Sequence, residues 1–161
     1  MSDPDNDRYH RRPPRLDRLF AERLPLYFVT FNTAQRAPIL ARPEIHEAFR
    51  RFSVTADERF GVAVGRYVLM PDHVHLFAAF PPESVMLSRW VQSLRSVLGK
   101  ELLRVGMQKP HWQEGFFDHL LRSSESYDEK WEYVRMNPVR AGFCKGPDEW
   151  EYQGEIVPIH Y

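Results

Sequence analysis

Two histidines stand one residue apart inside a hydrophobic run of the sequence. His73 and His75 belong to the stretch Val68 to Phe80, in which most other residues are apolar. Alternate side chains of a β-strand point to the same face, so a strand over residues 73 to 80 would bring both imidazoles together. Imidazoles are good ligands for divalent metal ions, and a strand fixes their separation. The spacing therefore indicates a metal-binding pair, with two ordinary hydrogen-bonded strand histidines as the alternative.

A tyrosine and an asparagine supply the second set of reactive groups. Ser126 followed by Glu129 has the spacing of a capping box, which predicts a helix that begins there and continues to about Met136. Residues four positions apart share one face of a helix, so Tyr133 and Asn137 could approach the same object. The alternatives are a half-buried aromatic ring for Tyr133 and a helix cap for Asn137.

The elements that must position these groups follow from the apolar pattern and the turn residues. We predict strand, helix, strand, strand, helix, strand and a final helix, which is the split-βαβ arrangement of a ferredoxin-like α+β fold with an antiparallel sheet. We expect the first two helices on one face and the histidine pair on the other, where the last helix would meet it. The predicted ranges are a strand over 26–33, a helix over 43–60, strands over 62–70 and 73–80, a helix over 84–105, a bulged strand over 112–121 and a helix from residue 126.

The length and composition fit one folded domain. The chain has 161 residues, of which 43% are hydrophobic, and its 22 Lys and Arg residues balance its 22 Asp and Glu residues. Net charge therefore favours no class of partner, but the charges are unevenly distributed. We expect a basic flexible arm over residues 1–24, one domain over 25–145 and an irregular acidic tail over 146–161.

The sequence also constrains the compartment. Cys144 is the only cysteine, which excludes an internal disulfide framework and argues against a thiol nucleophile. The N-terminal residues lack the apolar segment of a signal peptide, and no apolar stretch approaches the length of a membrane span. These features predict a soluble cytoplasmic protein without a membrane partner.

Cationic side chains in two places are candidates for binding the phosphates of a nucleic acid. The N-terminal arm is rich in arginine, and the second predicted helix carries a row of cations opposite its apolar face. A solvated surface is the alternative in both places. The candidate phosphate-binding residues are Arg11, Arg12, Arg15, Arg89, Lys100 and Arg104.

Three segments taken together resemble one known family. They are residues 70–76, which contain both histidines, residues 112–122, and residues 133–142, which contain the sequence Asn-Pro-Val-Arg-Ala-Gly. From about Tyr27 to Phe143 the chain is similar to the single-tyrosine HUH transposases of bacterial insertion sequences, and especially to the REP-associated tyrosine transposases derived from them. The N-terminal arm matches no motif of this family.

The resemblance implies a role for each site residue. His73 and His75 would be the metal-binding histidines, Tyr133 the nucleophile and Asn137 a third, amide ligand. Two departures from the family pattern concern the metal. Asp72 stands where an asparagine is common, and Asn137 is shorter than the glutamine of many relatives. An acid at Asp72 could join the outer shell of the metal.

The activity that the resemblance implies is metal-dependent cleavage and rejoining of single-stranded DNA through a 5′-phosphotyrosine intermediate. Mixed nitrogen and oxygen ligands with open positions suit Mg²⁺ or Mn²⁺, although two histidines would also accept Zn²⁺ or Ni²⁺. The implied partner is single-stranded DNA with a hairpin or palindromic element, bound by a monomer or a homodimer. Such a protein would associate with the nucleoid in the cytoplasm.

Two other functions fit parts of the sequence. One is a metal-dependent hydrolase or structural zinc domain, in which His111 or His119 supplies a third imidazole and Tyr133 is dispensable. The other is a DNA-binding module that has kept the fold and lost catalysis. We favour the enzyme because all four site residues are present together. Tyr127 is not favoured as the nucleophile, since six residues of helix turn it about 120° away from Tyr133.

Overall fold

The core of the protein is a five-stranded antiparallel sheet. The computed structural model describes residues 24–83, 85–122 and 124–160. The strands lie in the order β4-β1-β3-β2-β5, so β1 and β3 occupy the centre. Their bounds are β1, Leu26–Asn32; β2, Ala63–Leu69; β3, His73–Ala79; β4, Phe117–Leu121; and β5, Gln153–Glu155.

The helices connect the strands as the sequence predicts. Between β1 and β2, and again between β3 and β4, one long helix crosses the sheet, and the first four strands have the order of a split βαβ unit. The prediction of an antiparallel α+β fold is therefore confirmed. The helix bounds are α1, Pro43–Phe60; α2, Leu87–Arg104; α3, Ser124–Arg135; and α4, Asn137–Arg140, with short 3₁₀ turns at Ala34–Arg36 and Pro147–Glu149.

The bounds of α1 follow from two residues with special backbone preferences. Pro43 lies in the first turn, where its missing N–H has no helical partner to lose. Gly61 follows the last residue with φ of 66°, a left-handed conformation that glycine adopts without steric cost. Its N–H donates to the carbonyl of Asp57, which ends the helix. Both bounds agree with the sequence prediction.

One face of the sheet is closed by α1 and α2. The apolar stripe of α2 lies against β1 and β3, and the ring of Trp90 contacts Phe52 and Phe80 at centroid distances of 5.5 Å each. Burial of these large side chains removes a continuous apolar layer from water and supplies most of the driving force for folding. The layer includes Val29, Phe31, Phe49, Val74, Leu76, Trp90, Leu94 and Leu98.

The other face carries a smaller apolar cluster under α3. Phe77 of β3 meets the ring of Tyr127 at a centroid distance of 4.8 Å, and Val134, two turns further along α3, is also buried. The neighbouring strand contributes Leu26 and Phe28. The helices α1 and α2 thus share one face, and α3 packs on the face toward which the histidine pair points, as the sequence predicts.

The C-terminal segment differs from the predicted irregular tail. Residues Gln153–Glu155 form β5 and pair with residues 66–68 of β2. Trp150 donates through Nε1 to the carbonyl of Leu69 at 3.0 Å, and Ile159 is buried in the cluster under α3. The segment is acidic overall, but its few apolar residues cover the far edge of the sheet. Three residues of strand are too few to show a period of two.

The last helix begins two residues before its predicted start and ends within one residue of its predicted end. It begins at Ser124, so Ser126 lies inside the first turns and does not cap the helix. It ends at Arg135, and the short α4 begins at Asn137. Pro138 has no N–H to donate to the carbonyl four residues earlier, and this interrupts the hydrogen-bond ladder between the two helices. The chain remains right-handed across the break, since Arg140 N–H donates to the Met136 carbonyl at 2.9 Å.

The fourth strand is shorter than the predicted range. Only Phe117–Leu121 pairs continuously with β1, whereas Trp112 makes one isolated bridge with Thr33. Gly115, with φ of 76°, turns the chain between these two places. No helix among the described residues is long and apolar enough to cross a membrane.

Candidate active site

The histidine pair lies on β3, on the face covered by α3. His73 and His75 are opposite Asn32 and Thr30 of β1, and residues opposite each other in an antiparallel pair point to the same side. The two imidazole rings are 4.7 Å apart between centroids and nearly perpendicular. The strand therefore brings the two rings together as the spacing predicts.

Each imidazole is held through its Nδ1 atom. The Thr30 hydroxyl lies 2.7 Å from His75 Nδ1, and the Asp72 carboxylate lies 2.7 Å from His73 Nδ1. A histidine that donates from one nitrogen presents a lone pair on the other, and such second bonds fix metal-binding rings in proteins. The Asp72 carboxylate only accepts, so His73 presents its lone pair on Nε2, and His75 does the same in the tautomer whose Nδ1 donates to the Thr30 hydroxyl.

Arg36 supports the carboxylate that holds His73. Its Nε donates to Asp72 at 2.9 Å, while one of its terminal nitrogens is 3.2 Å from His73 Nδ1. Arginine can only donate, and Nδ1 cannot donate to Asp72 and accept from Arg36 together. The shorter contact to the carboxylate decides that Nδ1 donates. Asp72 therefore holds the His73 ring through Nδ1.

The loop that carries Arg36 has an unusual backbone. Gln35 and Arg36 have φ of 53° and 54°, the left-handed region that residues other than glycine rarely occupy. Such conformations persist when the surroundings fix them, and they are common at functional sites. Here the Ala34–Arg36 turn brings a guanidinium to the histidine pair.

Burial keeps both imidazoles neutral at neutral pH. It lowers the pKa of His75 to about 3, with further lowering by the charges of His73, Lys130, Arg140 and Arg36. Burial also lowers the pKa of His73, although the hydrogen bond and charge of Asp72 act in the opposite direction. Only a neutral imidazole can offer a lone pair to a metal ion. Both rings are therefore in the protonation state that metal binding requires.

Tyr133 and Asn137 lie on the helical segment above this face. Tyr133 is 64% exposed, and its ring is covered by the guanidinium of Arg140 at 4.2 Å from the ring centroid. Arg140 also donates to the Tyr133 carbonyl at 2.7 Å and to Asn137 Oδ1 at 3.1 Å. The phenol is open to a substrate, and the amide orientation is defined.

Tyr127 has a structural role. It is 3% exposed, its ring packs on Phe77, and burial raises the pKa of its hydroxyl to about 12. The hydroxyl accepts a hydrogen bond from the Arg66 backbone N–H at 3.4 Å and lies where any side chain at Gly65 would clash. Of the two phenols on this helix, that of Tyr127 is therefore closed to a substrate and that of Tyr133 is exposed.

The two histidines considered as third metal ligands do not group with the pair. His111 is buried beside Gly99 of α2, and its Nε2 is 2.8 Å from the Met107 carbonyl. His119 is exposed on β4, opposite Phe28, so it shares the face of the histidine pair but is separated from β3 by β1. In the part of the chain that the structure describes, no three His, Cys, Asp or Glu side chains form a metal-binding group. The structural-zinc alternative therefore finds no ligand set among these residues.

The predicted phosphate-binding residues lie apart from the histidine pair. Arg89, Lys100 and Arg104 are exposed on α2, which covers the opposite face of the sheet. Arg104 also forms an ion pair with Glu101, three residues earlier. Arg11, Arg12 and Arg15 fall outside the residues that the structure describes.

Sequence reasoning missed several residues of the site. Thr30 could have been found from the strand pairing, since it follows the same period of two as the apolar residues of β1. Helical spacing from Tyr133 and Asn137 would have found two more, because positions three residues apart lie on one face. The missed residues are Thr30, Arg36, Phe117, Lys130 and Arg140.

The comparison with known families gives one clear match. The family model described as "Transposase IS200 like" matches residues 25–136. This range includes both histidines and Tyr133, and it ends immediately before Asn137. It covers most of the sheet and α3.

Two individual proteins illustrate the similarity. The chain is 23% identical over 127 residues to the REP-associated tyrosine transposase of Escherichia coli strain K12, covering 78% of this chain and 73% of the relative. A solved structure of a REP-associated tyrosine transposase bound to a REP hairpin superposes with a TM-score of 0.62 at 22% identity. That match covers 80% of this chain and 75% of the other, and it shows that the two share a fold.

Proposed function

We propose that this chain, which belongs to the family of IS200-like transposases, cleaves and rejoins single-stranded DNA with Tyr133 as the nucleophile. The observation that carries the proposal is the pair of Nδ1 bonds to Thr30 and Asp72, which leaves two neutral Nε2 atoms on the face below α3. Histidines that bind a metal are held in this way, by a hydrogen bond on the ring nitrogen that does not face the ion.

The proposed reaction exchanges one phosphodiester for another. The Tyr133 hydroxyl oxygen attacks the phosphorus, and the bond from phosphorus to the 3′ oxygen of the upstream nucleotide breaks. Tyr133 loses its proton and the departing 3′ oxygen gains one, which leaves a free 3′ hydroxyl and a 5′-phosphotyrosine. A 3′ hydroxyl can attack that linkage in reverse, so rejoining needs no nucleotide cofactor.

The donor groups fit a divalent ion. His73 and His75 would offer two imidazole nitrogens and Asn137 an amide oxygen, a set that suits Mg²⁺ or Mn²⁺ and would also accept Zn²⁺ or Ni²⁺. When bound, such an ion polarises a phosphate and stabilises the charge of the transition state. Thr30 and Asp72 orient the two rings for this purpose, and Arg140 fixes the amide.

An exposed aromatic ring supports a single-stranded substrate. Phe117 of β4 is 57% exposed and contacts Phe28 at 6.4 Å between centroids, and Phe28 in turn stacks on His75. Unpaired bases stack on exposed aromatic rings, whereas the bases of a duplex are already stacked on one another. We infer that a base beside the cleaved bond rests on Phe117.

A hairpin next to the cleavage point is the proposed recognition element. The related solved protein is bound to a REP hairpin, and we extend this mode of binding to the present chain as part of the proposal. Arg89, Lys100 and Arg104, together with Arg11, Arg12 and Arg15, would add phosphate contacts that do not depend on sequence.

Formation of a covalent adduct tests the proposed function. The protein would be incubated with single-stranded oligonucleotides that span palindromes beside its gene, with Mg²⁺ or Mn²⁺, and adducts separated on a denaturing gel. We expect a DNA-linked protein in the wild type and in Tyr127→Phe, and none in Tyr133→Phe. An undiminished adduct in Tyr133→Phe would rule out this nucleophile. Tight DNA binding without any adduct under either metal would instead favour the inert DNA-binding module.

A further inference from the structure

Four polar residues form one stripe along α3 and α4. Lys130, Tyr133, Asn137 and Arg140 follow each other at intervals of three or four residues, so their side chains lie on the same side of the helical segment. Tyr133 and Asn137 already have proposed roles. The two cations, one at each end of the stripe, have none.

The ring of Phe28 lies between Lys130 and the histidine pair. Its Nζ is 4.8 Å from the centre of the Phe28 ring, and Phe28 stacks on His75 at 5.4 Å with a 20° angle between planes. Among the described residues, no carboxylate forms an ion pair with this ammonium group. The described carboxylates therefore leave its charge unpaired.

Arg140 presents its guanidinium beside the nucleophile. The group covers the Tyr133 ring at 4.2 Å and bonds to two neutral oxygens, the Tyr133 carbonyl and Asn137 Oδ1, through one terminal nitrogen. A guanidinium has five N–H donors, so the remaining donors are available to a ligand. Within the described part of the chain, Arg140 also lacks a carboxylate partner.

Unlike Lys130 and Arg140, the cations at neighbouring positions form ion pairs with carboxylates. Arg36, which also approaches the histidines, is paired with Asp72 at 2.9 Å. On the other side of α3, Arg66 pairs with Asp128 at 3.1 Å, and Arg135 contacts two carboxylates. Carboxylates thus pair with these neighbouring cations, whereas Lys130 and Arg140 have no carboxylate partner in the described ranges. The missing anion is expected to come from the substrate.

We propose that Lys130 and Arg140 form a clamp for the DNA phosphate that Tyr133 attacks. This inference rests on the proposed function and adds two residues that touch the substrate. Arg140 would offer its planar fork to two phosphate oxygens, while Lys130 would act as a point charge from the other end of the stripe. Transfer of a phosphoryl group spreads negative charge over these oxygens, and cations placed around them stabilise it.

The first experiment measures binding without requiring cleavage. Fluorescence anisotropy would follow a labelled decamer of thymidylate over a range of salt concentrations. Loss of both contacts in Lys130→Gln/Arg140→Gln should reduce the slope of log K against log salt by about 1.4, since each contact contributes about 0.7. The control, Arg51→Gln/Arg59→Gln, removes the same charge from exposed positions of α1 and should keep the wild-type slope.

The second experiment assigns the clamp to one phosphate. With an oligonucleotide that the wild type cleaves, Lys130→Gln and Arg140→Gln should each slow single-turnover adduct formation by about 10-fold to 100-fold, the value of a charge-assisted hydrogen bond. With an uncharged methylphosphonate at the cleaved position, the same substitutions should have little effect. Equal slowing on both substrates would mean that the residues act only on the protein, and would overturn the clamp.

The two experiments separate this inference from the proposed function. If the wild type forms no adduct with any single strand, the proposed function fails, and the salt slope still decides whether Lys130 and Arg140 contact DNA phosphates. An unchanged slope in the double variant overturns the clamp. Lys130→Arg and Arg140→Lys keep the charges and should retain most of the slope, whereas a loss from misfolding would appear equally in these variants and in thermal unfolding.

Discussion

The two faces of the sheet use the same strands for opposite purposes. On the α1 and α2 face, the inward residues of β3 are apolar along the whole strand, from Val74 through Leu76 to Ala78. On the other face, the residues change from Ala79 and Phe77, which pack under α3, to His75 and His73 at the open end. The first face is apolar and stabilises the fold. At one end of the second face, polar groups that can bind a substrate replace the apolar residues.

The same division appears on β1, which pairs with β3. Val29 and Phe31 are buried on the first face, while Phe28 and Thr30 lie on the second. Because the two strands run antiparallel, the polar end of β1 meets the polar end of β3, and Thr30 lies directly opposite His75. The apolar residues of the first face stabilise the pairing of β1 with β3, and this pairing supports the site. Truncation of a residue on one face should therefore reduce stability, whereas truncation of its neighbour on the other face should reduce activity.

The largest expected effect is on catalysis. His73→Ala or His75→Ala should reduce adduct formation to background, because each removes one of two nitrogens offered to the metal. EDTA should have the same effect on the wild type. Folding and DNA binding should largely survive all three treatments, as measured by thermal unfolding and anisotropy. If EDTA lowers the unfolding temperature substantially, the metal is structural and the zinc-domain alternative is correct.

Leu76→Ala, at the residue that follows His75 on the same strand, should reduce stability and leave activity unchanged. Leu76 is fully buried on the α1 and α2 face, and truncation of such a residue costs about 2–5 kcal/mol of unfolding free energy. The activity of the remaining folded protein should stay near that of the wild type. Denaturant unfolding and active-site titration would measure the two quantities. Lost activity at full stability would show that the faces are not independent.

Much of this division could be predicted from sequence. The alternation of histidine with apolar residues over 73–76 fixes which face carries the site, because a strand has a period of two. The helical spacing of Trp90, Leu94 and Leu98 predicts the helix that closes the other face. These patterns depend on local geometry alone, and the structure agrees with them.

Other parts of the site depend on contacts that no local pattern records. Arg36 reaches Asp72 only because Gln35 and Arg36 adopt a left-handed backbone, and nothing in their residue types signals it. The pairing of β5 with β2 joins residues 153–155 to residues 66–68, far apart in the chain. The pairing of Arg135 with Glu132 follows from helical spacing, but its second partner, Asp148, lies beyond the helix and is set by tertiary structure.

The polar end of the second face should also make the protein sensitive to acid. The folded-state pKa of His75 is about 3, whereas an unfolded histidine has a pKa of about 6.5. The stability is therefore complete above pH 6.5 and falls as the pH decreases toward 3, since the unfolded chain binds a proton that the folded site excludes. Between pH 6.5 and 5 we expect this residue to contribute a loss of about 2 kcal/mol in the metal-free protein.

A comparison of two unfolding series would measure this sensitivity. Urea unfolding of the wild type and of His75→Gln at several pH values gives the difference in slope that belongs to His75. The variant should be less sensitive to pH, although His73, whose pKa burial also lowers, retains part of the effect. Parallel curves for the two proteins would show that His75 accepts a proton in the folded state.

The smallest expected effect concerns the exposed ring next to the site. Phe117→Ala should weaken binding of single-stranded DNA by about 1 kcal/mol, near the lower end for a base stacked on an aromatic ring, because the ring is already partly covered by Phe28. The matched control is Phe60→Ala, which removes a ring that is 49% exposed at the end of α1, beyond the other face. Anisotropy with a thymidylate decamer should register the first change and not the second. Equal weakening by both would place single-stranded DNA on both faces of the sheet and end the functional distinction between them.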